Sequence, residues 1–142
     1  MIVVDSSAIN AVLLRESSAE SVLQACEAGE RFLAPALIVH EVANVLAGAV
    51  RRKRLTEQQL RDAEVQFFDF PWAIETNVGL EVLQDSVAKT LKFGLTSYDA
   101  AYLSLALRHG CPLVTLDVEL AAAARRVGVV VYPPIAASTR AE

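Results

Sequence analysis

The sequence predicts a three-layer α/β/α domain on a parallel five-stranded sheet. Short runs rich in β-branched and apolar residues alternate with longer stretches of helical periodicity along the whole chain. No internal repeat or low-complexity segment interrupts that alternation. At 142 residues and 54% hydrophobic, the chain has the size and apolar content of one domain with a substantial core. The expected domain covers residues 1–132, and 133–142 reads as a frayed C-terminal tail.

Met1 to Asp5 is the first strand, and Ser6 and Ser7 are competent N-caps for a helix through Leu14. Ser17 with Glu20 makes a capping box for a second helix, which Gly29 ends. Arg31 to Ala34 reads as the second strand, and Pro35 suits the first turn of a helix carrying Leu37, Ile38, Val42, Val45, Leu46 and Val50 at helical spacing. Thr56 with Gln59 opens another helix that runs to Phe70, before Pro71, and Trp72 to Glu75 is a weak third strand. Gly79 to Leu91 is helical, Gly94 breaks it, and Ser97 caps a helix that His109-Gly110 ends. Pro112 to Leu116 is the fourth strand, Leu120 to Val127 a short helix and Val129 to Tyr132 the fifth strand.

The formal net charge of −4 excludes a protein coated in positive potential, so a nucleic-acid partner would have to meet a local basic patch. Cys26 and Cys111 lie in no zinc-ligand spacing and read as buried, reduced thiols. The apolar N-terminus has no basic leader and Asp5 interrupts it, while no apolar run reaches the roughly 18 residues a spanning helix needs. The expectation is a soluble, cytoplasmic protein.

Asp5, Glu41, Asp99 and Asp117 carry most of the functional information. Each stands where a strand ends or a helix begins, among apolar residues that must pack. In an open parallel sheet, ligands collect beyond the carboxyl ends of the strands where the winding reverses. With the strand order 3-2-1-4-5, which the sequence permits, the reversal falls between the first and fourth strands and brings Asp5 and Asp117 together. Glu41 and Asp99 reach the same crevice because right-handed crossovers start their helices at that edge. A single pair of carboxylates about 4 Å apart repels by roughly 4 kcal/mol at an effective dielectric of 20, so a compensating cation or shared protons are required. All-oxygen ligation suits Mg²⁺ or Mn²⁺. Such ions act chiefly on phosphate esters, by polarising the phosphoryl oxygen and acidifying water.

VDSSA at the start, the early Glu of ALIVHEVANVL, TSYDAAYLSLAL and LVTLD together resemble the PIN-domain nucleases, specifically the VapC-type toxins of bacterial toxin–antitoxin pairs. The resemblance runs from residue 1 to about 132. It implies a metal-dependent endoribonuclease that leaves 5′-phosphate and 3′-hydroxyl ends, usually a homodimer, silenced by a small VapB-like antitoxin. It also implies that Asp5, Glu41 and Asp99 form the main acidic triad with Asp117 as the more variable fourth acid. Ser7 and Thr115 match hydroxyl positions that support the carboxylates, and Glu119 stands where some relatives carry a further acid.

Other residues have blander readings beside the functional ones. Any one acid alone would pass for a helix N-cap or dipole partner. His40 projects about 100° from Glu41 around its helix and reads as structural or exposed, while His109 reads as a C-terminal dipole partner. Arg51, Arg52, Lys53 and Arg54 read either as a solvated helix end or as a patch that tracks RNA phosphates beside the acids, to which Lys89 and Lys92 could add. Tyr98 and Tyr102 read as core or interface aromatics. Rival functions are a phospho-receiver module, disfavoured by Glu75 at the third strand and by the absence of a Lys after the fifth, and a PIN-fold nuclease of RNA or DNA processing. A degenerate copy that only binds a partner is disfavoured by the intact acids.

Overall fold

The computed structural model describes residues 1–134; the part of the expected tail from 135 onward lies outside the described residues. The chain runs β1 (Ile2–Val4), α1 (Ser6–Leu13), α2 (Ala19–Cys26), β2 (Phe32–Pro35), α3 (Ile38–Arg51), α4 (Glu57–Asp69), β3 (Trp72–Glu75), α5 (Leu80–Phe93), α6 (Ser97–His109), β4 (Leu113–Val114), α7 (Val118–Arg126) and β5 (Val131–Tyr132). The sheet has the order β3-β2-β1-β4-β5 and every pairing is parallel, with Val3 opposite Leu33 on one side and Leu113 on the other. This is the expected three-layer α/β/α architecture and strand order.

β1 is central and buried throughout, which is why IVV needs no alternation of polar residues. α6 crosses the sheet against β1, β2 and β4, and its Tyr102, Leu103, Leu105 and Ala106 join the sheet residues in one apolar core. Around β3, Phe32 stacks on Phe70 and meets Trp72 edge to face, Phe67 stacks on Trp72, and the Trp72 indole donates to the Phe67 carbonyl at 2.6 Å.

Several expected boundaries shift for identifiable reasons. Pro35 is the last residue of β2 rather than the first turn of α3. It extends past the paired part of β1, so its missing N–H leaves no ladder bond unmade, and α3 begins only at Ile38. The Ser17–Glu20 capping box does not form, since α2 starts at Ala19 after Ser18 without a side-chain cap. α2 ends before Gly29, whose role is space: a Cβ there would stand 2.5 Å from Ile2 Cγ2. The Thr56–Gln59 capping box is present in full. Thr96, not Ser97, caps α6 through the Asp99 amide at 3.2 Å. β4 and β5 are two-residue strands, shorter than expected. Cys26 is buried and Cys111 half-buried, and both thiols are free. Among the described residues, no helix is long and apolar enough to cross a membrane.

Candidate active site

Each of the four acids stands at a helix N-terminus. Asp5 is the N-cap of α1, where Oδ1 accepts from the Ala8 amide at 3.0 Å, so the cap expected of Ser6 or Ser7 falls to the acid itself. Asp117 is the N-cap of α7, accepting from the Leu120 amide at 2.8 Å; α7 therefore begins at Val118, ahead of Leu120. Glu41 and Asp99 occupy the first turns of α3 and α6. The partial positive charge of these helix ends favours anionic side chains there.

Asp5 is the most enclosed of the four, at 2% exposure. Ser7 Oγ donates to its Oδ1 at 2.7 Å and Thr115 Oγ1 to its Oδ2 at 2.6 Å. Those hydroxyls are held in turn, Ser7 Oγ by the Leu116 amide at 2.9 Å and Thr115 Oγ1 by the Asp117 amide at 3.0 Å. The strand ends of β1 and β4 are thus joined through one carboxylate. Burial nevertheless dominates these bonds and pushes the Asp5 carboxyl up to about 6, with Asp99 adding to the rise.

Asp99 is also raised to about 6, first by loss of solvent, then by the negative charges of Asp117, Glu41 and Glu119, against which the Thr96 hydrogen bond works. Asp117, Glu41 and Glu119 lie within electrostatic reach of Asp99, and Asp99 within reach of Asp5. Glu119, exposed in the first turn of α7, belongs to the same field.

Tyr102, expected as a core or interface aromatic, has a fully buried ring. Its hydroxyl, however, donates to Glu41 Oε1 at 2.6 Å, and burial followed by the Glu41 carboxylate pushes that phenol far above its ordinary value. The available signal was its spacing: Tyr102 lies three residues after Asp99, on the same face of α6.

The remaining candidates lie elsewhere. Arg51, Arg52, Lys53 and Arg54 are exposed at the far end of α3. Arg51 is ten residues beyond Glu41, about 15 Å along the axis at roughly 1.5 Å per residue, so the run is not immediately beside the acids. Lys89 is engaged with Asp85, and Lys92 stacks over Phe93 at 5.3 Å. His40 is exposed as expected. His109 instead pairs with Glu75 at 3.2 Å alongside Arg108, and the C-cap of α6 is Gly110 in a left-handed turn. A cavity of about 670 Å³ lies between α3 and α4 and is lined by none of the four acids.

A PIN-domain family model matches residues 2–126. This chain belongs to the PIN-domain family. Its curated relatives include Ribonuclease VapC3 of Pyrobaculum aerophilum, 38% identical over 120 residues, covering 84% of this chain and 92% of the relative. Ribonuclease VapC9 of Mycobacterium tuberculosis is 32% identical over 133 residues, covering 84% of this chain and 88% of the relative. Among solved structures, PAE2754 from Pyrobaculum aerophilum superposes with a TM-score of 0.63 at 23% identity, over 92% of this chain and 89% of that one. A toxin–antitoxin complex from Klebsiella pneumoniae gives 0.58 at 23% identity, over 86% and 91%. The likeness to curated VapC ribonucleases supports the resemblance carried by the four sequence motifs, and the solved structures share the fold of this PIN domain.

The donor set of this PIN domain suits a hard divalent cation in two respects. Every candidate ligand is a carboxylate, and the leading charge influences on Asp99 are all negative. Among the described residues no three His, Cys, Asp or Glu side chains stand at ligand spacing. An ion held by these acids would therefore require side-chain adjustment from the positions described.

Proposed function

We propose that this chain is a Mg²⁺- or Mn²⁺-dependent endoribonuclease and the toxin of a toxin–antitoxin pair. The observation that carries the reading is that Asp117, Glu41 and Glu119 all act on Asp99 by their charge, and Asp99 on Asp5, in a sheet whose winding reverses between β1 and β4. Carboxylates without a cationic side-chain partner among the described residues, at the winding reversal of a parallel sheet, support a site for a cation. The names of the VapC ribonuclease relatives give the substrate class.

In this reading Asp5, Asp99 and Asp117 hold the ion and Glu41 completes the set. Ser7 and Thr115 fix the Asp5 carboxylate so that its orientation does not have to be found on binding. The ion, when bound, supplies charge to the scissile phosphate and lowers the pKa of water. Glu41 has one carboxylate oxygen tied to Tyr102 and the other without a hydrogen bond among the described residues, which suits it to orient the attacking water or accept its proton. Arg51, Arg52, Lys53 and Arg54 track the phosphate backbone at a distance from the cut. The products are a 5′-phosphate and a 3′-hydroxyl.

The partner in this reading is a small VapB-like antitoxin, which the likeness in fold to a toxin–antitoxin complex supports. The α3–α4 groove, lined by Val39, Leu46, Leu60, Val65 and Phe68, offers an apolar seat for it. The active form is a cytoplasmic homodimer, and the exposed row Leu80, Leu83, Val87 and Leu91 on α5 is a surface a second copy could cover.

The test is cleavage of mixed RNAs by partner-free protein with Mg²⁺, with Mn²⁺ and with chelator. Internal cuts that need either ion, stop on chelation and leave 5′-phosphate ends are expected. Cleavage undiminished by chelator overturns metal dependence, no cleavage of any RNA overturns the nuclease, and equal cleavage of single-stranded DNA favours a processing role.

A further inference from the structure

We propose that Tyr102 is a positioning residue for the cation pocket, holding the Glu41 carboxylate in place through its buried hydroxyl. The proposal rests on the ion-dependent reading above and adds to it a residue outside the four acids.

Glutamate has three side-chain torsions, and a half-exposed one at the start of a helix loses considerable freedom when it becomes a ligand. Asp5 is relieved of that problem by Ser7 and Thr115. No serine or threonine hydroxyl among the described residues does this for Glu41; its single side-chain hydrogen bond there is the one from Tyr102 Oη at 2.6 Å. That length is typical of a hydroxyl donating to an ionised carboxylate, the stronger class of hydrogen bond. The donor is itself immobile, because its ring is packed to 0% exposure in the core of α6 against the sheet. Tyr102 also lies one turn after Asp99 on the same helix, so the bond fixes Glu41 of α3 relative to the helix that presents Asp99. Only Oε1 is engaged, which leaves Oε2 for the ion or the water. A phenol on a rigid ring thus does for the mobile acid what two hydroxyls do for the enclosed one.

The test is Mn²⁺ titration by calorimetry of the wild type, Tyr102→Phe, Glu41→Gln and the double variant, with urea unfolding of each in chelator. Tyr102→Phe keeps the ring and removes the donor. It is expected to weaken Mn²⁺ binding by roughly ten-fold or more, in the range seen when a supporting partner of a metal ligand is removed. In the Glu41→Gln background the same change is expected to have little further effect, because its target carboxylate is gone. Wild-type Mn²⁺ affinity in folded Tyr102→Phe overturns the proposal, as does an equal loss in both backgrounds, which would mean a general packing defect. If Tyr102→Phe fails to fold, Tyr102→Leu, which adds no volume to the packed site, and Glu41→Asp serve instead: Glu41→Asp, too short to keep the bond, must weaken Mn²⁺ binding and become insensitive to the Tyr102 change. Absence of Mn²⁺ binding by the folded wild type sinks the underlying reading instead, and so separates the two failures.

Discussion

Thr115 Oγ1 donates to Asp5 Oδ2 at 2.6 Å, tying the end of β4 to the end of β1 at the reversal of the sheet's winding. The same hydroxyl oxygen accepts from the Asp117 amide at 3.0 Å, so one side chain sets the positions of two acids. Thr115→Val keeps the shape and removes both bonds, leaving a buried amide without its acceptor. A loss of roughly 1–3 kcal/mol in urea unfolding is expected, together with weaker Mg²⁺-dependent cleavage. Unchanged stability would show that these bonds are idle.

Asp5 has a carboxyl raised to about 6 from 3.8. Between those values the folded chain retains a proton that the unfolded chain has released. This group's contribution to stability is therefore complete below about pH 4 and is lost as pH rises through about 6. The loss amounts to roughly 3 kcal/mol, since each unit is worth about 1.4. Unfolding of the wild type in chelator is expected to show this decline relative to Asp5→Asn, and added Mg²⁺ to offset it above pH 6. Parallel pH curves for the two proteins would contradict the assignment.

Asp99→Asn removes the charge that Asp117, Glu41 and Glu119 oppose, and leaves the Thr96 cap on its backbone amide intact. Cleavage is expected to fall by about 100-fold or more, on the scale of losing a main electrostatic group of an active site. Melting temperature in chelator is expected to hold or rise. Retention of more than a tenth of activity, or collapse of the fold, would falsify its dual role.

Gly29→Ala tests the scaffold independently of the chemistry. The new Cβ would meet Ile2 Cγ2 at 2.5 Å and Ile2 Cβ at 2.7 Å, at the start of the central strand. A destabilisation of about 1–3 kcal/mol is expected from overpacking. Gly48→Ala, whose Cβ would meet only the flexible Arg52 side chain at 3.1 Å, is expected to be far milder.

The layered α/β architecture was legible because it depends on pattern over long stretches, whereas the strand order was only one that the sequence permits. IVV, FLAP and LV have few ways to pack other than as parallel strands between helices. Caps were less legible, because adjacent residues compete for one amide. VDSSA offers three acceptors and the acid takes it; LTSYD offers two and the threonine takes it. Pro35 was misplaced because its tolerance in a strand depends on where the neighbouring strand stops, a fact of three-dimensional register. For Tyr102 the sequence left core and interface both open, and it could not show the hydroxyl's partner, which is 61 positions away in the chain. His109 stands in the last turn of α6 as expected of a dipole partner, but its contact with Glu75 was not legible, since that residue is 34 positions distant.

The length of α3 keeps opposite charges apart. With Glu41 in its first turn and Arg51 in its last, the cationic run starts about 15 Å away along the axis, nearly two screening lengths at physiological ionic strength. Ionic strength should accordingly tune how tightly a polyanion is captured while leaving the divalent pocket almost untouched, so that grip and scission can be adjusted by separate substitutions on a single rod.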